Sequence, residues 1–89
     1  MKRSTPKGRH IGRKVAQYRT EKGLSQKELA ARLQTIGCDM TSEMIWKVEN
    51  GRRALSIYEI DKLVEVLGVD YNALFAEVQK SGDTEKNNL

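Results

Sequence analysis

Apolar residues recur along this chain at the three- and four-residue spacing of helices. No stretch alternates with the period of two that a half-buried strand requires. Ile11, Val15 and Tyr18 make one stripe, Leu29, Leu33 and Ile36 a second, and Ile45 with Val48 a third. Ile57, Ile60, Leu63, Val64 and Leu67 make a fourth, and Tyr71, Leu74, Phe75 and Val78 a fifth. The punctuation agrees with the periodicity. Ser25, Thr41, Ser56 and Asp70 are good N-caps, whose side-chain oxygens accept from unpaired N–H groups of a first helical turn. Leu24 with Leu29, Met40 with Ile45, Leu55 with Ile60 and Val69 with Leu74 have the spacing of a hydrophobic staple around those caps, and Ser25–Glu28 and Ser56–Glu59 have that of a capping box. Gly23, Gly37, Gly51 and Gly68 stand where a left-handed residue would close each helix. The pattern predicts an all-α domain over 10–79, with five helices near 10–22, 25–36, 41–50, 56–67 and 70–78. Residues 1–9 are read as a flexible basic arm and 80–89 as a polar, disordered tail.

At 89 residues the chain has room for one small domain and a modest core, which disfavours a catalytic cleft between domains. It has no apolar run of membrane-spanning length, and its basic start is not followed by the apolar stretch of a signal peptide. Cys38 is the sole cysteine, so no intrachain disulfide can form. These features predict a cytoplasmic protein without membrane contact. The net charge is +4 and the pI about 9.4, but the distribution matters more. Residues 1–27 carry nine Lys or Arg against one Glu, +8, whereas residues 28–89 carry seven against eleven acids, −4. Such asymmetry fits a polyanion at one end of the molecule, with a solvated basic tail as the plainer reading.

The third helix raises the sharpest question. At about 100° per residue, Ile45 and Val48 point one way, while Ser42, Glu43, Trp46, Lys47 and Asn50 spread over the opposite arc. A helix fits the major groove, where such side chains can hydrogen-bond base edges. Arg52 and Arg53 follow at once, placed for flanking phosphates. The N-terminus of the second helix offers backbone N–H groups to a phosphate, with Ser25, Gln26 and Lys27 beside them.

The segments GRKVAQYRTEKGLSQKELAARL and MIWKVENGRRALSIYEIDKLVEVLGVDYNALF resemble the Xre/Cro-type helix-turn-helix domain of phage repressors and small bacterial regulators. The resemblance covers roughly residues 11–76. Its elements are individually weak but specific in their order: Arg on the first helix, G-L-S-Q entering the second, L-A within it, I-x-x-V-E-N-G closing the third, and L-G-V before the fifth. It implies a compact five-helix repressor-like fold and a sequence-specific regulator of transcription, a repressor by expectation. The partners implied are double-stranded DNA and a second copy of the chain, with a regulatory protein partner left open. By matching position it implies that Thr41 caps the recognition helix, that Ser42, Glu43 and Lys47 read bases, that Gln26 holds a phosphate, and that Arg19 and Glu49 form a structural ion pair. The chain departs from the usual pattern between Gln34 and Met40, where the turn is lengthened by several residues. A recurrent subgroup carries a similar L-Q-x-x-G-C/L-D segment. Glu43 and Trp46 are the other departures.

Each reading has a plainer rival. Trp46 is a base-reading candidate through apolar contact with a thymine methyl or a sugar edge, or else it covers the lengthened turn by packing on Cys38 or Met40. Glu43 accepts from cytosine N4 or is a solvated first-turn carboxylate favoured by the helix dipole. Arg52 and Arg53 hold phosphates or form a solvated loop, and Asn50 is read as a phosphate contact. Lys2, Arg3, Lys7, Arg9, Arg13 and Lys14 follow the DNA backbone, enter a minor groove or remain solvated. His10 is alone and Cys38 lacks ligand-spaced companions, so no metal or cofactor is expected. No catalytic triad spacing, paired carboxylates or phosphate-cradling glycine loop is present, which disfavours an enzyme. Two further readings compete: a protein-interaction module such as an antitoxin or adaptor, using Met44 and Trp46, and non-specific nucleic-acid packaging, which Glu43 disfavours.

Overall fold

The computed structural model describes residues 6–75, with side chains over 11–75. The described residues are helical throughout apart from turns: α1 is Pro6–Glu21, α2 Gln26–Thr35, α3 Ser42–Glu49 and α4 Ile57–Leu67. A fifth helical segment, α5, runs over 71–75, and its predicted continuation to 78 lies outside the described residues. The first helix starts earlier than expected, at Pro6 instead of residue 10. Proline suits the first helical position, where its missing N–H would have no partner anyway, so the basic segment from residue 6 onward continues the helix. Residues 1–5 of the expected arm, the 80–89 tail and Val78 lie outside the described residues.

The caps form as hydrogen bonds. Ser25 and Ser56 each accept from the N–H of the glutamate three residues on and donate their own N–H to its carboxylate, at 2.8–3.1 Å. Thr41 accepts from Met44 N at 3.2 Å, with the Met44 thioether sulfur 3.5 Å from Thr41 N in the reciprocal place, a weaker acceptor than a carboxylate. Asp70 accepts from Ala73 N at 3.0 Å and opens α5. Gly23, Gly37, Gly51 and Gly68 all have positive φ.

The apolar stripes converge on one core: Val15 from α1, Leu29, Ala30 and Leu33 from α2, Ile45 and Val48 from α3, Leu63, Val64 and Leu67 from α4, and Leu74 from α5. Leu24, Cys38 and Met40 complete it from the connections. Each large side chain so buried is worth about 1.5–3 kcal/mol against exposure. Among the described residues of the predicted stripes, Ile57 is 82% exposed, Tyr71 and Phe75 are nearly half exposed, and Ile36 is half-buried outside the core. Ile57 is the first residue of α4, ahead of the turn that meets the core.

α1 and α2 both pack on α3 and α4. The crossing of α1 on α3 is unusually close because Gly12 is there. A Cβ at Gly12 would fall 2.1 Å from the Val48 carbonyl oxygen, so only glycine lets the two backbones meet. The lengthened turn is tied at two points. Gln34 Nε2 donates to the Met40 carbonyl at 3.2 Å, and the Tyr58 hydroxyl, from α4, donates to the Gly37 carbonyl at 2.9 Å.

Candidate nucleic-acid interface

α3 is held from behind and free in front. Ile45 and Val48 are buried, while Glu43, Trp46, Lys47 and Asn50 are exposed and Ser42 half-buried. Two ridges at helical i,i+4 spacing therefore face outward, Ser42–Trp46–Asn50 and Glu43–Lys47. Lys47 Nζ lies 3.8 Å from a Glu43 carboxylate oxygen, so the acid on this face is balanced within its own ridge. Met44 packs against the core, which leaves Trp46 as the large apolar group that α3 exposes.

The orientation of α3 is set by an ion-pair cluster at its last turn. Arg19 Nε donates to Glu49 Oε2 at 2.7 Å and Arg19 Nη2 to Glu49 Oε1 at 3.0 Å, while Arg19 Nη1 donates to the Leu24 carbonyl at 2.8 Å. Gln26 Nε2 adds a bond to Glu49 Oε1 at 2.9 Å. The cluster brings the N-terminus of α2 beside the end of α3. The capping box there uses the N–H groups of Ser25 and Glu28. Those of Gln26 and Lys27 have no acceptor among the described residues. They carry the positive end of the helix dipole to the place where α2 meets the last turn of α3. Gln26, expected only at a phosphate, thus also has a structural role: one amide hydrogen is taken by Glu49, and its oxygen and second hydrogen remain.

Two other expected phosphate residues also have partners within the domain. Asn50 is the C-cap of α3, and its Nδ2 donates to the Trp46 carbonyl at 2.9 Å, because a last helical turn has carbonyls without helical partners. Arg53 is not a free cation. Its Nη1 and Nη2 donate to Glu59 Oε1 and Oε2, both at 3.0 Å, so it forks onto the carboxylate that also caps α4. This fork holds the Glu59 carboxyl below the ordinary glutamate range. Arg52 has no carboxylate partner among the described residues, and its guanidinium carbon lies 5.7 Å from the centre of the Trp46 ring. Trp46 thus has its ring toward Arg52. It stands 44% exposed beneath Arg52, whereas Cys38 and Met40 are buried in the core. Burial pushes the Cys38 thiol up, away from the reactive thiolate. Of the basic arm, Arg13 is exposed, and Lys14 lies 5.4 Å from the Tyr18 ring centre. The side chains of Lys7 and Arg9, like Lys2 and Arg3, lie outside the described residues.

Sequence reasoning missed Gly12, Tyr58, the Gln26–Glu49 bond and the Arg53–Glu59 fork. Only the fork had a local signal, since Glu59 was already recognised as the acid of a capping box and Arg53 precedes it by six positions.

A helix presented outward at the end of a short helical pair, with a cationic rim and a helix N-terminus beside it, defines the class of helix-turn-helix DNA-binding proteins. Residues 15–74 match the helix-turn-helix family HTH_3, and the chain belongs to that family. It is a DNA-binding regulator of the Xre/Cro type. It is 31% identical over 71 residues to control protein C.MunI of a Mycoplasma species, across 79% of this chain and 89% of that protein. Its fold is also that of the DNA-binding domain of BldD, with a TM-score of 0.68 at 23% identity, covering 82% of this chain and 99% of the other.

Proposed function

We propose that the chain is a repressor that binds an inverted-repeat operator as a homodimer and places α3 of each copy in successive major grooves, about 34 Å apart. The observation that carries this reading is the outward arc of α3 above a fully packed inner face. Ser42, Glu43 and Lys47 read base edges. Lys47 suits guanine O6 and N7, and Glu43 suits cytosine N4. The free N–H groups of Gln26 and Lys27, the Ser25 hydroxyl and Arg52 hold the phosphates that set the register. The similarity to a protein named a control protein supports a regulatory role.

The surface proposed for the dimer lies on α4 and α5. Ile57 and Asp61 share one face of α4, and Tyr71 and Phe75 share one face of α5. The Tyr71 hydroxyl donates to Asp61 Oδ1 at 2.6 Å and joins the two faces. The joined surface exposes Ile57, Tyr71 and Phe75, an apolar set suited to a second copy. Among the described residues no helix is long and apolar enough to cross a membrane, and the proposed setting is the bacterial cytoplasm, with the chain encoded by a bacterium or a phage.

The test is selection of bound duplexes from a randomised pool at about 150 mM salt, where non-specific attraction is weakened. The expected result is an enriched inverted repeat with fixed half-site spacing. Retention without enrichment, falling steeply with salt, would leave only generic binding by a basic surface.

A further inference from the structure

We propose that Trp46 is a positioning residue: its indole is the platform that presents the Arg52 guanidinium to a phosphodiester at the rim of the groove, and it does not read a base. The inference rests on the DNA-binding mode proposed above.

Three bonds fold the segment after α3 back on its last turn. Asn50 Nδ2 holds the Trp46 carbonyl at 2.9 Å, Gly51 N donates to the Val48 carbonyl at 3.1 Å, and Arg52 N donates to the Lys47 carbonyl at 2.8 Å. The Arg52 backbone is thereby fixed beside the outward ridge, and its guanidinium carbon reaches to 5.7 Å from the indole centre, within the range of a cation–π contact. The two consecutive arginines part company here. Arg53 gives its fork to Glu59, which neutralises it. Arg52 is held by a ring face, which attracts the cation without cancelling its charge and leaves the in-plane N–H donors open. Those donors match two oxygens of a phosphate. A long side chain that would otherwise lose rotamer freedom on binding is already ordered. Trp46 is the sole tryptophan of the chain and sits mid-ridge between Ser42 and Asn50, so its emission reports on this one place.

The experiment uses the full chain and the duplex obtained by selection, with W46A, W46F, R52A and the double variant W46A/R52A. In the free protein, R52A shifts the Trp46 emission. On the duplex, W46A and R52A each lower affinity by about threefold to tenfold. The double variant is no weaker than R52A, and W46F, which keeps a ring face, recovers most of the loss. R52A lowers the slope of log affinity against log salt by about 0.9, the share of one phosphate. The W46A loss is the same on every single-base variant of the operator. Additive losses in the double variant, or a W46A loss confined to one base position, would overturn the proposal while leaving the chain a reader of DNA. A wild-type chain that selects no duplex overturns the DNA-binding mode itself and this inference with it.

Discussion

Arg19 of α1 and Glu49 of α3 are thirty positions apart in the chain and meet through two parallel hydrogen bonds, at 2.7 and 3.0 Å. Their side chains are only 14% and 6% exposed. Gln26 Nε2 also donates to Glu49, and Arg19 Nη1 donates to the Leu24 carbonyl, so both charged groups of the knot are further hydrogen-bonded. Glu49→Ala would leave the Arg19 guanidinium and the Gln26 amide facing a gap. We predict a loss of about 3–5 kcal/mol, the range for breaking one side of a buried pair. Thermal unfolding measures it. A variant with an unchanged melting temperature that had merely lost DNA binding would show that the pair belongs to recognition and not to the scaffold.

Gly12→Ala isolates a different constraint on the same helix crossing. In an exposed helix interior, alanine would gain about 1 kcal/mol over glycine. Here the new methyl would lie 2.1 Å from the Val48 carbonyl oxygen, and the obstacle is backbone, which cannot step aside. The helices must separate, which loosens the packing of α1 on α3. The expected net effect is destabilisation by about 1–3 kcal/mol, the range for overpacking, read as a lower denaturant midpoint. A neutral or stabilised variant would mean that the crossing is looser than its geometry.

These two sites show why the sequence was readable in some respects and opaque in others. Caps, staples and closing glycines act within five or six residues, so the helices could be placed from local chemistry; Ser25, Thr41, Ser56 and Asp70 all cap as their residue type suggests. The outward arc of α3 followed from periodicity alone. Gly12 is different. Its partner is the carbonyl of Val48, and nothing near Gly12 in the chain announces that approach. Tyr58 and Gly37 are likewise joined across 21 positions. The cap bond of Asn50 and the fork of Arg53 were not legible because a polar residue beside a helix end can serve either a ligand in solvent or the groups of the helix itself. Sequence cannot say which geometry is nearer.

The Tyr58 hydroxyl bond to Gly37 spans α4 and the lengthened turn, so it bears on where α3 begins. Tyr58→Phe removes one hydroxyl and keeps the ring, beside which Lys62 Nζ lies 5.3 Å from the centre. The expected cost is about 0.5–1.5 kcal/mol, that of a single hydrogen bond. Because the contact restrains the turn locally, amide exchange should accelerate over 36–40 more than in α1. Uniform acceleration across the chain would mean that the bond contributes to global stability only.

Acid sensitivity should reside largely at Glu59. Arg53 above all, then the Ser56 N–H, hold its carboxyl below the usual value for glutamate. A depressed folded-state pKa contributes stability that is complete above the unfolded value of about 4.3 and is lost as pH falls through the folded value. The melting temperature should therefore decline as pH drops below about 4.3, and Glu59→Gln should flatten that decline while lowering stability at neutral pH. An equally steep decline in the variant would move the acid-sensitive contribution to another carboxylate, such as Glu28, which the Ser25 N–H also holds below the ordinary glutamate range.

Lys47 and Glu43 provide the last prediction, because their mutual pairing makes it more than a contact deletion. Lys47 Nζ is 3.8 Å from the Glu43 carboxylate, and both side chains are largely solvated, so the pair contributes little to the free protein. Its weight falls on DNA. A lysine balanced by an adjacent acid gains little from an arbitrary phosphate, since approach also brings the carboxylate toward negative charge. The balance favours a site where each charge meets its own complement: base acceptors for Lys47, an amino group for Glu43. Lys47→Ala should then weaken the preferred operator by about 1–3 kcal/mol and relax one or two base positions. Glu43→Gln should act in the opposite sense on generic DNA, raising non-specific affinity while blurring the position where cytosine is preferred. Binding titrations on the operator, its single-base variants and unrelated duplexes separate these effects. If Lys47→Ala lowers affinity equally on every duplex, Lys47 is a phosphate contact, and the specificity of α3 must come from Ser42 and Glu43 alone.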